Sequence, residues 1–296
     1  MDHTSVVADV NSTNGTATAY GVYLINHSNL ILCNSNNLSG TAAGGTSTSA
    51  AEANAYGIYS NISAITISGN NNAITATANA GNTTGDYSYA GAYGYGLYTY
   101  NNSTVTISGN NNAITATANG GNTTGNYSYA SAAGDGLYAY YNCTVTISGN
   151  NNMITASGNG GNITASSFYT GQAGSTAVGL IADTDSVVNI SGNGNIINAT
   201  SSGGQINNIK DFGIAYGMEA LSSTINFGGN ITGTKIIVNG NSTSTGIYAN
   251  DSSLQINGTT NTNLNEYNNL ISFTKGQTSG PDGYKIDWIG TGTLAW

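Results

Sequence analysis

The side chains able to do acid–base or metal chemistry are few and scattered. The 296-residue chain carries 13 Asp and Glu, 2 His and 4 Lys+Arg, and all four cations are lysines. Asp86, Asp135, Asp183, Asp185, Asp211, Glu219 and Asp251 are strung along the chain, and Asp183-x-Asp185 is the only tight pair. Residues i and i+2 of a strand share a face, so that pair could hold calcium or move a proton; a solvated turn is the plainer reading. His3 and His27 stand far apart in sequence, and neither a zinc site nor a His-based triad can be assembled from them. Enzymes acting on acidic polysaccharides need cations against the uronate and carboxylates that bind calcium or shuttle protons. A chain without arginine meets that need poorly. No catalytic residue, no metal site and no cofactor is therefore expected.

Tyrosine and asparagine offer recognition instead. A short marker, glycine then an aliphatic residue then usually tyrosine, recurs at Gly21-Val22-Tyr23, Gly57-Ile58-Tyr59, Gly96-Leu97-Tyr98, Gly136-Leu137-Tyr138, Gly179-Leu180-Ile181, Gly217-Met218-Glu219 and Gly246-Ile247-Tyr248. If the aliphatic residue points inward, its neighbour points outward. Tyr23, Tyr59, Tyr98, Tyr138 and Tyr248 then form an outward column, interrupted by Ile181 and Glu219. Tyrosine gives a large contact area with a polar tip and suits glycan or protein contacts; the alternative is a ladder of rings that only stabilises a sheet. Loop tyrosines Tyr87, Tyr89, Tyr127 and Tyr129 add aromatic surface. Asparagine recurs in register as Asn70, Asn71 and Asn72, then Asn110, Asn111 and Asn112, then Asn150, Asn151 and Asn152. Asparagine tolerates left-handed backbone, and stacked asparagines hydrogen-bond along a stack; a structural ladder is expected there. A weaker outward column, Thr75/Thr77, Thr115/Thr117, Thr155/Ser157 and Asn198/Thr200, is of the kind that ice-binding solenoids display.

The elements that must carry these columns follow from the repeat. Residues 64–103 and 104–143 are nearly the same text, and marker spacing runs from 29 residues (Gly217 to Gly246) to 43 (Gly136 to Gly179). Each unit holds three short runs of strand type: the marker run, an alternating run such as Thr104-Val105-Thr106-Ile107, and a third such as Ala113-Ile114-Thr115-Ala116. Such units are too polar to bury a face alone and must stack. The fold expected is all-β: a right-handed parallel β-helix, or β-solenoid, of about seven coils of 29–43 residues with three strands per coil. Variable spacing implies loops of free length. The repeat domain is read as 1–265, and 266–296, which holds both tryptophans and the only proline, as a capping or continuation segment.

With 42 glycines and 6% charged residues, the chain has no basic patch, which excludes nucleic acid as a partner. No apolar run reaches the roughly 20 residues of a membrane helix. Met1-Asp2-His3 is not expected to open a signal peptide, so either the ends of a precursor were trimmed or an export signal lies elsewhere. Cys33 and Cys143 fall at different repeat positions, so no disulfide is expected.

The pattern G-[VIL]-Y-x(4–5)-S-[TA]-[VI]-T-I-S-G-N-N-N resembles bacterial surface β-helices, above all the passenger regions of autotransporter adhesins, over about residues 10–260. The resemblance implies export, a rod-like stalk, and adhesion or self-association at the cell surface. No catalytic residue of that family transfers. The expected function is that of an extracellular, adhesin-like or structural protein without catalytic activity, whose partner is a glycan or protein on a host or neighbouring cell, or another copy of itself. The alternatives are a segment of a self-assembling fibre or surface layer, a carbohydrate-active β-helix enzyme, and an ice-binding protein.

Overall fold

In the computed structural model the description covers residues 1–165, 171–229, 231 and 233–257, with the strands Ile271–Lys275, Ile286–Ile289 and Leu294–Ala295. The chain is an all-β parallel solenoid with three strands per coil, built as three eight-stranded sheets in which every neighbour is parallel. The marker runs make one sheet: Ala17–Ile25, Ala53–Asn61, Ala92–Tyr100, Ala132–Tyr140, Ser175–Asp183, Gly213–Leu221, Thr243–Asn250 and Ile286–Ile289. We name each of its strands by the marker glycine. A second sheet takes runs of the type Thr104–Ile107, and a third those of the type Ala113–Asn119. Each coil pairs with the next in the register that sets like on like, as in Ile114 on Ile154 and Tyr59 on Tyr98.

Alternation explains the core. Strand Thr104–Ile107 buries Val105 and Ile107, and strand Ala113–Asn119 buries Ile114, Ala116 and Ala118, while the threonines between them face outward. Ile58, Leu97, Leu137, Leu180, Met218 and Ile247 are fully buried in one column, Leu32, Ile67, Ile107, Ile147, Ile190 and Phe227 in a second, and Ile74, Ile114, Ile154 and Ile197 in a third. Each side chain removed from water this way contributes roughly 1.5–3 kcal/mol. The corner between a marker strand and the following strand is a left-handed bend, with φ of 54° at Asn101 and 57° at Asn102. Asparagine accepts this conformation at little cost.

The long loops are more regular than their variable length suggests. Parallel bridges link Ser47, Thr83, Thr123, Ile163 and Ile206, one from each successive coil. Thr83, Ser88, Thr123 and Ser128 are buried, and Ser88 Oγ donates to Ser128 Oγ at 3.0 Å. Ala130, Ile163 and Ala173 form a small separate core beneath this layer. Cys33 and Cys143 are free thiols. Cys143 occupies a buried column otherwise held by Ser63, Ser103, Ser186, Ser223 and Ser252, in which each hydroxyl accepts from the backbone of the preceding coil. The anticipated capping segment, 266–296, falls mostly outside the described residues; its three short strands are the last members of the three sheets. No helix among the described residues is long and apolar enough to cross a membrane.

Candidate functional site

The outer face of the marker sheet is shaped by a break in strand phase at each marker glycine. In the Gly96 strand, Tyr93 and Tyr95 face outward, Gly96 and Leu97 are both buried, and Tyr98 and Tyr100 face outward again. Strict alternation would have placed Tyr95 inside. Glycine permits the break because a Cβ at residue 96 would lie 2.5 Å from the Gly136 carbonyl oxygen and 2.7 Å from Ile114 Cγ2. Gly57 and Gly136 are confined in the same way. The text Tyr-Gly-aliphatic-Tyr therefore puts two tyrosines per coil on the surface. Tyr20, Tyr56, Tyr95 and Tyr216 form a second outward column that reading by alternation missed; the recurrence of tyrosine immediately before the marker was the available signal.

The two columns pack as one strip. Within columns the rings stack: Tyr23 on Tyr59 at 4.9 Å and 15°, Tyr59 on Tyr98 at 5.4 Å and 11°, Tyr20 on Tyr56 at 4.8 Å and 11°, Tyr56 on Tyr95 at 5.0 Å and 12°. Between columns they meet edge to face, as Tyr56 and Tyr59 do at 87°. Such pairs add roughly 0.5–1.5 kcal/mol beyond area burial. The strip is uncharged, and burial followed by neighbouring phenols pushes the Tyr56 hydroxyl up to about 12. Tyr23 at 53% exposure marks its open end. Tyr59, Tyr98, Tyr138 and Tyr248 are half-buried, with their rings partly occupied by one another. The row is contiguous only from Tyr23 to Tyr138, and Tyr138 turns to 75° from Tyr98. Ile181 and Glu219 separate Tyr248 from it, and Tyr248 stacks on Tyr216 instead. The loop pair Tyr87–Tyr127 stacks at 5.0 Å and 3°, and the Tyr89 and Tyr93 hydroxyls are hydrogen-bonded, joining the loop layer to the marker sheet.

The asparagine triplets divide into three roles. Asn72, Asn112 and Asn152 are buried, with Asn36 and Asn195 continuing the column. Asn72 donates from its backbone N and from Nδ2 to Asn112 Oδ1, both at 2.9 Å, and Asn112 N donates to Asn152 Oδ1 at 2.9 Å. Asn70, Asn110 and Asn150 form an outer ladder of opposite sense: Asn110 N donates to Asn70 Oδ1 at 2.6 Å and Asn150 N to Asn110 Oδ1 at 2.7 Å. Asn71, Asn111 and Asn151 are exposed turn residues with φ of 59°, 56° and 54°, so the ladder expected of all nine belongs to six. Unforeseen ladders link Asn82, Asn122 and Asn162, and Asn79, Asn119 and Asn159.

Asp183 and Asp185 do not share a strand face. The strand ends at Asp183, and Thr184 and Asp185 have φ of 47° and 58°, so the two carboxylates part at a left-handed bend. Asp183 accepts from the Tyr138 hydroxyl at 2.9 Å and from Thr184 Oγ1 at 3.0 Å. Among the described residues no group of three His, Cys, Asp or Glu side chains is placed to hold a metal ion. The threonine and serine pairs of the third sheet face outward, as alternation requires.

Comparison of the chain with protein-family models, with curated proteins and with solved structures finds no match.

Proposed function

We propose that the chain is an extracellular or cell-surface β-solenoid that attaches, without catalysis, to a glycan or protein on a host or neighbouring cell, in the manner of autotransporter adhesin passengers. The observation that carries this reading is the tyrosine strip: two columns, running from Tyr20 and Tyr23 to Tyr95 and Tyr138, held on one rigid face. Rings fixed by stacking lose little freedom on contact, and their edges and hydroxyls offer apolar area beside hydrogen-bonding tips. The rings themselves carry no charge, so their share of the contact depends weakly on salt. Self-association is a second reading, supported by the exposed Val7, Tyr23, Ile25 and Ile31 on strands at the edge of all three sheets.

The test replaces Tyr59, Tyr98 and Tyr138 together by serine. These rings lie outside the aliphatic core, so the β-rich circular dichroism should persist while attachment to cells or immobilised glycans falls clearly. Full attachment by the folded triple variant would contradict the reading.

A further inference from the structure

Where the tyrosine strip breaks, the marker sheet carries an acidic trough. Up the stack, the position before the marker glycine reads Tyr95, Asp135, Val178 and Tyr216. The position two residues after it reads Tyr98, Tyr138, Ile181 and Glu219. Val178 and Ile181 are shorter than Tyr216 and Tyr138, the tyrosines that stand beside them on one side each, and lie at the floor, only 4% and 5% exposed. Three carboxyls border that floor: Asp135 on the preceding strand, Glu219 on the following one, and Asp183 two residues beyond Ile181 on the same strand. Asp183 has both oxygens partnered. Asp135, at 7% exposure, accepts no hydrogen bond from any described residue, and neither does Glu219. No cation answers them either: the only ion pair among the described residues is His3–Asp2 at the far end of the chain. Desolvated carboxyls without partners are costly to hold, and sites that break the rules of packing in this way are where function is sought.

We propose that this trough binds the protonated amine of an amino sugar, a non-acetylated hexosamine unit of a surface polysaccharide, with the sugar ring seated in the adjoining cavity. The inference rests on the attachment reading above and names its ligand. That cavity, of about 140 Å³, is lined by Tyr93, Ala133, Thr176 and Phe212 among others. Ala133 and Thr176 stand two residues before Asp135 and Val178 on the same outer face, about 7 Å along the strand. A cationic head directly on a compact ring fits that lateral arrangement better than a long lysine stem, which would enter from above. A metal ion fits worse. The acids are spread over three strands about 4.8 Å apart, and no three of them converge as metal ligands. An ammonium sends three donors in diverging directions, and the tyrosine walls add cation–π attraction.

The protonation chemistry agrees. Burial pushes Asp135 up to about 8, helped by Glu219; burial and then Asp183 push Glu219 up to about 7. The other ionisable groups bordering the trough among the described residues are Tyr93, Tyr95, Tyr98, Tyr100, Tyr138, Tyr140, Asp183, Tyr216 and Tyr248. Near neutral pH the free trough holds protons, and an arriving ammonium favours the ionised carboxylates, so protons leave on binding.

Titration calorimetry at pH 6.5, in two buffers of different ionisation enthalpy, tests this with a glucosamine tetramer, the same tetramer N-acetylated, and a lysine-rich peptide. The glucosamine tetramer should bind with proton release. The acetylated tetramer, the peptide, and the Asp135→Asn and Glu219→Gln variants should each bind about tenfold more weakly or worse. The comparison of acetylated with free amine needs only the unaltered protein, so it stands even if a variant fails to fold. Equal binding of both tetramers, no binding of the glucosamine tetramer, or equal binding of the peptide would overturn the proposal. Attachment that is lost in the tyrosine triple variant yet ignores competing glucosamine would overturn it too, and would leave the attachment reading standing.

Discussion

Asn111 and Asn112 are chain neighbours with opposite duties. Asn112 is buried and bonded to the coils on both sides, whereas Asn111 turns the chain with its side chain in solvent. Replacing Asn112 by Ala should cost roughly 1–3 kcal/mol, since a backbone N–H and a neighbouring amide lose their acceptor inside the stack. Asn111→Gly should change stability by only a few tenths, because glycine adopts φ near 56° freely. Thermal melts of the two variants check this; equal losses would contradict the division of roles. Asp135 and Glu219 give a pH dependence of definite sign. From ordinary values of 3.8 and 4.5 they rise to about 8 and about 7 in the fold. Below about pH 4 folded and unfolded states are both protonated and nothing is lost. As pH rises toward 8 the unfolded carboxyls ionise first, and stability falls. The melting temperature should therefore drop between pH 5 and pH 8.5, and Asp135→Asn should remove the larger part of that drop. A melting temperature that rises over the same interval would contradict the burial of these groups.

At the scale of the strand, the marker glycine decides what the surface offers. Gly96→Ala introduces a Cβ at 2.5 Å from a carbonyl oxygen of the next coil, and relieving that contact must part the coils or restore alternation. A loss of roughly 1–3 kcal/mol is expected, as for overpacking elsewhere. The stacked tyrosines should also register the change in near-ultraviolet circular dichroism. An unaltered melt and spectrum would mean that the phase break does not depend on glycine. The strands themselves were legible in the sequence, because β-branched and alanine columns recur with period two and like residues repeat at fixed places. The outward tyrosine beside each inward aliphatic residue was equally legible. The phase break was not, since alternation carries no sign of a bulge except the glycine itself, and Tyr56 and Tyr95 were lost with it. Asn111 and Asn112 could not be told apart for a related reason: identical letters in a turn differ only in backbone angle. Asp135 and Glu219 stand 84 positions apart in the text, and only stacking, which brings strands of adjacent coils about 4.8 Å apart, sets them on one trough.

For the molecule as a whole, stacking converts a weak local preference into a long rigid face. Each coil touches only its neighbours, so the core is a sum of like layers. Leu97→Asp, a lone charge among apolar columns, should unfold or aggregate the chain rather than loosen one coil; a melt as cooperative as the parent's would remove that column from the interior. The same layering lines up the tyrosines of successive coils without any partner being present, and the face proposed for attachment is already ordered before contact. Chemical modification of tyrosine, read residue by residue on free and on cell-attached protein, tests this most directly. The account expects Tyr23, Tyr59, Tyr98 and Tyr138 to become protected on attachment while the loop residues Tyr87 and Tyr127 remain as reactive as before. Protection of Tyr87 and Tyr127 with an unchanged strip would contradict it.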